Sequence, residues 1–212
     1  MPVSDARWAA EIAAGIDTLG LSLDAGQQEK LLGFLQLLNK WNSAYNLTAV
    51  RDPAEMVSRQ LLDSLSILPF LQEAPVLDVG AGGGLPGIPL AIARPAQDFT
   101  LLDSNSKKTR FLTQCRLELQ LSNLNVVHAR AEDFPIGEPF MQITSRAFTA
   151  LANLVTWCGH LLAAEGRFLA MKGQFPDTEI ADLPAGWTVL ESHRLAVPGC
   201  EAERHLLIIG RE

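Results

Sequence analysis

The feature that most constrains this chain is the alternation, from residue 75 onward, of short apolar runs with segments of helical length. Apolar runs of about four to eight residues are typical of strands, and strands that alternate with helices form parallel sheets. The predicted strands are 76–80, 99–103, 125–129, 141–145, 167–171, 188–192 and 205–209. No convincing helix joins the last two, which suits a terminal hairpin with one antiparallel strand. We therefore predict an α/β fold of the Rossmann type, with a seven-stranded, mainly parallel sheet and helices on both faces.

Residues 1–70 show helical rather than strand periodicity. Asp24 is followed three positions later by Gln27, as in a capping box, and apolar residues then recur at helical spacing. Asp52 and Pro53 form a second start signal, with proline at the first helical position, and Pro69 ends the segment. We expect an N-terminal helical extension over residues 1–70 and an α/β domain over 71–212, packed as one compact unit.

A glycine-rich segment follows the first predicted strand and reads Asp78-Val-Gly-Ala-Gly-Gly-Gly-Leu-Pro-Gly87. Its glycines let the backbone turn sharply and approach a ligand closely, because they carry no Cβ. A helix that begins near Pro86 would direct free N–H groups at an anionic group. Ligands of such sheets bind beyond the carboxyl ends of the strands, so this loop predicts a cofactor site. Residues 82–87 also match GxGxxG, so NAD remains an alternative.

Three acidic residues favour S-adenosylmethionine over NAD. Asp78 would repel a pyrophosphate, but it can accept the ammonium of a methionyl group, directly or through water. Asp103 ends the second strand, where a carboxylate accepts the ribose hydroxyls of either ligand. Ala131 and Glu132 follow the third strand, where a backbone N–H and a carboxylate can read an adenine ring. Each acid alone could equally be a cap or a surface residue. Together with the loop, they favour a methyltransferase over a dinucleotide-binding protein.

Composition limits the remaining classes. The net charge of −7 gives weak general attraction to nucleic acid, although Lys107, Lys108 and Arg110 form a local basic group. Three cysteines without CxxC spacing indicate neither a disulfide framework nor a zinc site, and we expect no metal. No apolar run has the length of a membrane span, and the first residues are too acidic for a signal peptide. We therefore expect a cytoplasmic protein without membrane contact.

Several segments closely resemble the bacterial RsmG (GidB) family of ribosomal RNA small subunit methyltransferases, in unbroken order from about residue 20 to 210. They are KWNSAYNLTAVRDP (40–53), LLDSL (61–65), VLDVGAGGGLPGIPLAI (76–92), LLDS (101–104), SRAF (145–148), MKG (171–173) and ERHLLII (203–209). The resemblance implies a Rossmann-type class I methyltransferase. Such an enzyme would use S-adenosylmethionine to methylate N7 of one guanine in 16S ribosomal RNA, within the small ribosomal subunit.

The resemblance also implies site residues. It places Gly80 and Leu85 in the cofactor loop, Ala131 and Glu132 beside the adenine, and Arg146 after the fourth strand. With the residues argued above, the predicted cofactor set is Gly80, Leu85, Ala131, Glu132, Arg146, Asp78, Gly82, Gly84 and Asp103. The candidates for RNA contact are Lys172, Phe148 and Arg204, each with a structural role as the alternative. The catalytic residues, the oligomeric state and the roles of Asn46, Asp63 and His205 stay open.

The chemistry implied by the resemblance needs no obvious base. Guanine N7 carries a lone pair and no proton, so its methylation depends on orientation more than on deprotonation. Many family members have a histidine just before the LLDSL-like segment, and this chain has Gln60 there, so proton transfer by that histidine cannot apply. An amine methyltransferase would show an NPPY-like segment where this chain has SRAF. Two alternatives stay open: a methyltransferase of a small molecule or protein, and a non-catalytic RNA- or nucleotide-binding module.

Overall fold

The structure, a computed structural model, describes residues 4–135 and 137–212. Its centre is a seven-stranded sheet in the order β3-β2-β1-β4-β5-β7-β6. The strands are β1 (Val76–Val79), β2 (Phe99–Asp103), β3 (Leu124–His128), β4 (Phe140–Arg146), β5 (Leu162–Lys172), β6 (Trp187–Arg194) and β7 (His205–Arg211). The first five strands pair in parallel, whereas β7 runs antiparallel to both β5 and β6. The predicted sheet is confirmed, and its strand order reverses at β1 and β4, where such sheets form a ligand crevice.

Helices cover both faces of the sheet, as predicted. They are α1 (Asp5–Thr18), α2 (Ala25–Tyr45), α3 (Asp63–Leu65), α4 (Gly87–Ala93), α5 (Ser106–Glu118), α6 (Leu151–Cys158) and α7 (Asp177–Ala181). One buried cluster contains residues of α1, α2, α4 and α5, and a second contains residues of α6 on the opposite face. None of the helices in the described ranges is long and apolar enough to cross a membrane.

The N-terminal helices bury their apolar stripe in the same cluster as the helices of the α/β part. Phe34 and Leu35 of α2 and Ile88 of α4 share this cluster with Phe111 of α5, and all four side chains are fully buried. Burial of such a side chain contributes about 1.5–3 kcal/mol, so the extension is held by ordinary core packing. The division into residues 1–70 and 71–212 stays a prediction.

The two start signals of the extension have different outcomes. The capping box forms, because the Gln27 amide donates to Asp24 Oδ1 at 2.8 Å and the Asp24 amide donates to Gln27 Oε1 at 2.9 Å. Asp52 caps only a 3-10 turn (Pro53–Glu55), which is followed by a π-helix (Val57–Leu62) that continues into α3. A π-turn inserts one residue into the helical ladder and often marks a functional position. The side chain of Gln60, in this π-helix, contacts Arg146 of β4.

Candidate active site

The glycine loop turns through three left-handed glycines at the carboxyl end of β1. The φ angles of Gly80, Gly82 and Gly84 are 65°, 54° and 80°, and residues other than glycine rarely adopt such values. A Cβ at Gly82 would meet only Gly80 O at 3.6 Å and Lys108 Nζ at 3.9 Å. A Cβ at Gly84 would lie 2.4 Å from Ile88 Cδ1, inside the core. The loop therefore presents Gly82 to open space, and it packs Gly84 against the helix that follows.

Asp103 ties this loop to the end of β2. Its Oδ2 accepts a hydrogen bond from the Gly82 amide at 2.9 Å, and its Oδ1 accepts one from the Asn105 amide at 2.8 Å. Lys108 Nζ lies 4.0 Å from the same Oδ2. The carboxylate is buried except for a small part that lines a cavity, so it shapes the loop and also presents acceptor capacity to that cavity.

Asp78 lies behind the loop and lines neither cavity described below. Its Oδ2 accepts from the Gly87 amide at 3.0 Å, and the Thr144 hydroxyl lies 3.1 Å from its Oδ1. Burial raises the pKa of Asp78 to about 7, and the bonds to Thr144 and Gly87 and the charge of Arg146 oppose this shift in part. This placement makes Asp78 a brace between β1 and the start of α4. A direct contact with a methionyl ammonium stays a prediction.

Two cavities meet at Gly80. The first, of about 330 Å³, lies beyond β2 and β3 and has Asp103, Ala131, Glu132 and Phe148 in its wall. Phe148 packs edge-on against Trp157, with ring centroids 6.0 Å apart. The Phe148 ring also covers Gly80, where an added Cβ would fall 2.2 Å from Phe148 Cδ2. This cavity, here called the β2–β3 cavity, therefore combines two acidic side chains, the basic side chains of Lys108 and Arg130, and an aromatic floor.

The second cavity, of about 460 Å³, lies between the loop, the π-helix and the carboxyl ends of β4 and β5. Five cationic side chains and one carboxylate line it: Arg59, Lys108, Arg146, Lys172, Arg204 and Asp63. Like charges concentrated in a cleft raise the local concentration of an oppositely charged ligand. Each of these cations has a carboxylate within 4.0 Å, but of those carboxylates only Asp63 lines the cavity. This cationic cavity therefore suits an anionic substrate, although the chain as a whole has a net charge of −7.

A single carboxylate holds two of these arginines. Asp63 Oδ2 accepts from Arg146 Nη1 at 2.7 Å, while Asp63 Oδ1 pairs with Arg204 Nε at 3.2 Å without hydrogen-bond alignment. Arg146 also donates to the Arg59 carbonyl at 3.1 Å and to the Gln60 side chain. Within the described ranges, the π-helix and α3 thus supply the hydrogen-bond partners of the Arg146 guanidinium. Asp63, whose role the sequence left open, is the counter-ion at the junction of extension and sheet.

Other candidates in this wall have structural partners. Lys172 Nζ lies 2.7 Å from Glu179 Oε2, and the same Glu179 oxygen accepts from the Leu151 amide that starts α6. His205 Nδ1 lies 2.9 Å from the Gly173 carbonyl oxygen, a distance at which the ring N–H donates. These contacts therefore fix the side chains of Lys172 and His205 at the carboxyl end of β5.

Comparison with known proteins identifies the family. The family model for GidB, rRNA small subunit methyltransferase G, matches residues 27–207. The ribosomal RNA small subunit methyltransferase G of Marinobacter nauticus is 66% identical over 205 residues, which cover 97% of this chain and 96% of that protein. The protein of the same name from Pseudomonas aeruginosa is 58% identical over 202 residues, which cover 95% and 94%. The chain belongs to this family.

Solved structures agree with the family fold. The glycopeptide N-methyltransferase MtfA, complexed with S-adenosyl-L-homocysteine, aligns with a TM-score of 0.59 at 13% identity, covering 72% of this chain and 87% of that one. The ribosomal protein L11 methylase from Lactobacillus delbrueckii subsp. bulgaricus aligns with a TM-score of 0.54 at 15% identity, covering 71% and 77%. At such identities the likeness shows the class I methyltransferase fold alone.

As a member of the rRNA small subunit methyltransferase G family, the chain uses S-adenosylmethionine as its methyl donor. The residues present fit this cofactor, since the open space at Gly82 adjoins the β2–β3 cavity, whose wall offers the carboxylates of Asp103 and Glu132. Ten of the twelve residues predicted for the cofactor and the RNA line the two cavities: Gly80, Gly82, Leu85, Asp103, Ala131, Glu132, Arg146, Phe148, Lys172 and Arg204. Asp78 and Gly84 lie behind the loop. The binding roles of all twelve stay predictions.

The sequence did not indicate some of the residues that line the two cavities. Lys108 lines both cavities, and a signal existed, because α5 begins just beyond Asp103 and places its first turn at the same edge. Gln60 was noted only as a departure from the family pattern, yet it is buried and bonded to Arg146 and Thr48. Trp157 carries no signal, since its place in the wall depends on the packing of α6. Within residues 4–135 and 137–212, no group of three or more His, Cys, Asp or Glu residues is placed to hold a metal.

Proposed function

We propose that this chain transfers the methyl group of S-adenosylmethionine to N7 of a guanine in 16S ribosomal RNA within the small ribosomal subunit, and that it does so in the cytoplasm. The observation that carries this proposal is the cationic cavity that opens at Gly80 beside the β2–β3 cavity. An RNA substrate brings phosphates to the reacting base, and five cations lining one cavity of an acidic chain suit such a ligand. Membership of an rRNA methyltransferase family supports the same substrate class.

The adenosine part of the cofactor is assigned to the β2–β3 cavity. Asp103, Ala131 and Glu132 line this cavity. In this proposal Asp103 accepts the ribose hydroxyls, and Ala131 and Glu132 read the adenine edge. The open side of Gly82 leaves room for the ligand to lie against the backbone. Gly80 and Leu85 line the cationic cavity, so the methionyl part would extend along the loop towards Arg146. The methyl group would then face the cavity that receives the RNA.

The side chains of the cationic cavity support orientation rather than deprotonation. Its carboxylate, Asp63, is paired with two arginines, and His205 faces the Gly173 carbonyl through Nδ1. S-adenosylmethionine supplies an electrophilic methyl group on a sulfonium, and guanine N7 supplies a lone pair without a proton to remove. Positioned partners reach effective molarities of roughly 10⁵–10⁸ M, so alignment alone can provide much of the rate. The task of these residues is to hold the phosphate backbone while the base enters.

The test is methylation with a labelled methyl donor. Small subunits that lack the N7 modification are incubated with the protein and methyl-labelled S-adenosylmethionine, and the RNA, the ribosomal proteins and the small molecules are separated. We expect label in 16S RNA, at a single guanine that becomes sensitive to cleavage specific for 7-methylguanine. Label in protein or in a small molecule would instead support the alternative methyltransferase. Cofactor binding without any transfer would support a non-catalytic RNA-binding module.

A further inference from the structure

Two stretches of this acidic chain carry cations and no acid. Residues 30–51 contain Lys30, Lys40 and Arg51, and residues 104–117 contain Lys107, Lys108, Arg110 and Arg116, with no Asp or Glu in either. The first stretch covers most of α2 and the turn after it, and the second covers α5 up to its last residue. The two helices touch through the rings of Trp41 and Phe111, whose centroids are 5.6 Å apart. The two helices therefore meet along segments that carry basic residues and no acidic residue of their own.

A graded row of aromatic rings leads from the core to this surface. Phe111 is fully buried, Trp41 is half-buried, and Tyr45, the only tyrosine of the chain, is 42% exposed. The rings of Trp41 and Tyr45 are stacked, with centroids 5.2 Å apart and planes at 29°. Exposed aromatic surface that is rigidly supported from below is what unstacked bases bind. The row therefore ends in the exposed ring of Tyr45 stacked on Trp41, here called the Tyr45 platform.

A groove of about 450 Å³ lies beside the platform, within the range of about 300–1,000 Å³ that is usual for ligand pockets. It runs between α2, α5 and the edge strand β3, and its wall includes Trp41, Arg110, Thr113, Gln114, Val126 and His128. Arg110 is exposed and has no carboxylate within 4.0 Å in the part of the chain that the structure describes. The acid beside this wall is Glu118, which accepts a hydrogen bond from Gln114. The groove thus offers an uncompensated cation next to stacked aromatic rings.

The groove and the two cavities flank the same helix. Lys108 lines both cavities, while Thr109 and Arg110, the next residues of α5, line the groove. At the end of the groove, His128 pairs in register with Asp103, and its Nε2 lies 3.0 Å from the Ser104 carbonyl oxygen. A helix is about 10 Å across with its side chains, and nucleotides of an extended strand span such a distance easily.

We propose that the Tyr45 platform binds an unpaired nucleotide of the RNA that flanks the target guanine, with its base on Tyr45 and its phosphate on Arg110. The inference rests on the proposed function, because it names a second contact of the same substrate. The aromatic row selects a base, and Arg110, with no carboxylate within 4.0 Å in the described ranges, selects a phosphate, so the two features together point to RNA. A protein segment could match the charge, but it would not need a supported aromatic plane.

The kinetic test uses exposed residues outside the cofactor site. Tyr45→Ala and Arg110→Ala should each lower kcat/KM for methylation of small subunits by about tenfold, through KM, since one stacked base contributes about five- to hundredfold. Tyr45→Phe keeps the ring and should behave as wild type. Arg116→Ala removes the same charge from the same helix outside the groove, and it should also leave the rate unchanged. The affinity for S-adenosylmethionine should be the same in all four variants.

A salt series and a crosslink separate RNA from protein as the occupant. Loss of one phosphate contact should reduce the slope of log affinity against log salt by about 0.7–0.9 in Arg110→Ala and by nothing in Arg116→Ala. Small subunits built with 4-thiouridine-labelled 16S RNA, when irradiated with the wild-type protein, should crosslink RNA to a peptide that contains Tyr45 or Arg110. RNA that crosslinks to other peptides of the protein, but never to one that contains Tyr45 or Arg110, would overturn the proposal.

The two proposals fail in different ways. If the wild-type protein labels RNA, and Tyr45→Ala and Arg110→Ala both match it in kcat/KM and salt slope, the platform is wrong and the proposed function stands. If the wild-type protein places no label in RNA, both are overturned. The proposal expects wild-type activity in Tyr45→Phe and reduced activity in Tyr45→Ala. Both variants should also unfold at the denaturant concentration of wild type. Lost activity without lost stability is a result that a merely structural tyrosine would not give.

Discussion

The backbone amide of Gly82 donates a hydrogen bond of 2.9 Å to the carboxylate of Asp103. This contact fixes the cofactor loop against the end of β2, and the other oxygen of Asp103 accepts from the Asn105 amide. One side chain therefore fixes the geometry of the loop and also lines the β2–β3 cavity.

The first prediction follows from this contact. Asp103→Asn replaces one carboxylate oxygen by an amide that cannot accept a backbone N–H, so the loop or the turn at Asn105 loses its partner. We expect the affinity for S-adenosylmethionine, measured by calorimetry, to fall at least about tenfold, since hydrogen bonds to charged groups contribute about 1.5–3 kcal/mol. Asp98→Asn, an exposed change just before the same strand, is the control and should bind normally. Equal affinity in the two variants would remove Asp103 from the site.

The second prediction concerns the open side of the loop. Gly82→Val places a β-branched side chain at a φ of 54° and fills space beside Lys108, so it should abolish measurable cofactor binding while the chain stays folded. The matched control is Gly20→Val, at a φ of 67° with no atom within 4 Å of the added Cβ and far from the loop in sequence. Both changes should lower the free energy of unfolding by about 1–3 kcal/mol of backbone strain, but only the first should affect binding. Gly84→Val is a poorer test, because its side chain would collide with Ile88.

Periodicity was sufficient for most of the fold. All seven strands, the terminal antiparallel strand and the capping box at Asp24 are local patterns of apolar residues and caps, and each was predicted, although β5 begins at Leu162, five residues before its predicted start. The glycine loop was predictable for the same reason, since positive φ at Gly80, Gly82 and Gly84 is a local requirement of the turn. The π-helix at Val57–Leu62 was not predicted, because no local residue pattern calls for it.

The site was predictable as a region but not as a network. The strands bring their carboxyl ends to one edge, so residues after β1, β2, β3 and β4 were expected to meet. Arg146 and Asp63 are in contact although they lie 83 residues apart in the sequence. An arginine and an aspartate at such a separation give no local pattern from which their pairing could be predicted. Asp78 looks like a ligand residue in the sequence, yet its two oxygens face Gly87 and Thr144. Burial and pairing of charges are properties of the assembled chain, and sequence spacing does not encode them.

The third prediction tests the counter-ion of the cationic cavity. Asp63→Asn keeps the size of the side chain and removes the charge shared by Arg146 and Arg204. We expect the free energy of unfolding to fall by about 1–3 kcal/mol, as for a buried group that loses its partner. kcat/KM for small subunits should fall by more than the loss of folded protein explains. Asp17→Asn, on the exposed side of α1, is the control for both denaturation and kinetics. A variant as stable and as active as the control would show that the arginines need no shared partner.

The fourth prediction uses the pKa of Asp78. In the folded chain this pKa is about 7, above its ordinary value of 3.8. Between pH 3.8 and about pH 7, Asp78 is therefore mostly protonated in the folded chain and mostly ionised in the unfolded chain. The contribution of Asp78 to stability is therefore greatest below about pH 4, falls as the pH rises towards 7, and is constant above. Asp78→Asn cannot titrate. The urea concentration at the midpoint of unfolding is measured for wild type and for Asp78→Asn at about pH 5 and about pH 8. Between these pH values, the stability of wild type should fall relative to that of Asp78→Asn. A difference that does not change with pH would mean that Asp78 is ionised throughout.

The fifth prediction concerns the form of the RNA. The net charge of −7 makes general attraction to phosphate weak, so recognition should depend on the local cations and on RNA shape. We expect good methylation of folded small subunits and poor methylation of protein-free 16S RNA. The logarithmic salt slope should correspond to only a few phosphate contacts, at about 0.7–0.9 each. Equal rates on naked RNA, or a slope that requires many more contacts, would contradict this model.

The pairing of Asp63 with two arginines makes the extension more than an attachment to a common catalytic core. The carboxylate comes from the segment before the sheet, whereas Arg146 ends β4 and Arg204 precedes β7. A core transplanted without this segment would keep two facing guanidinium groups and lose the anion between them. The extension therefore cannot be exchanged for another N-terminal segment without a change in the charges of this site. Any effort to redirect such an enzyme by swapping its N-terminal part must exchange the arginines with it, or supply a new carboxylate at the same place.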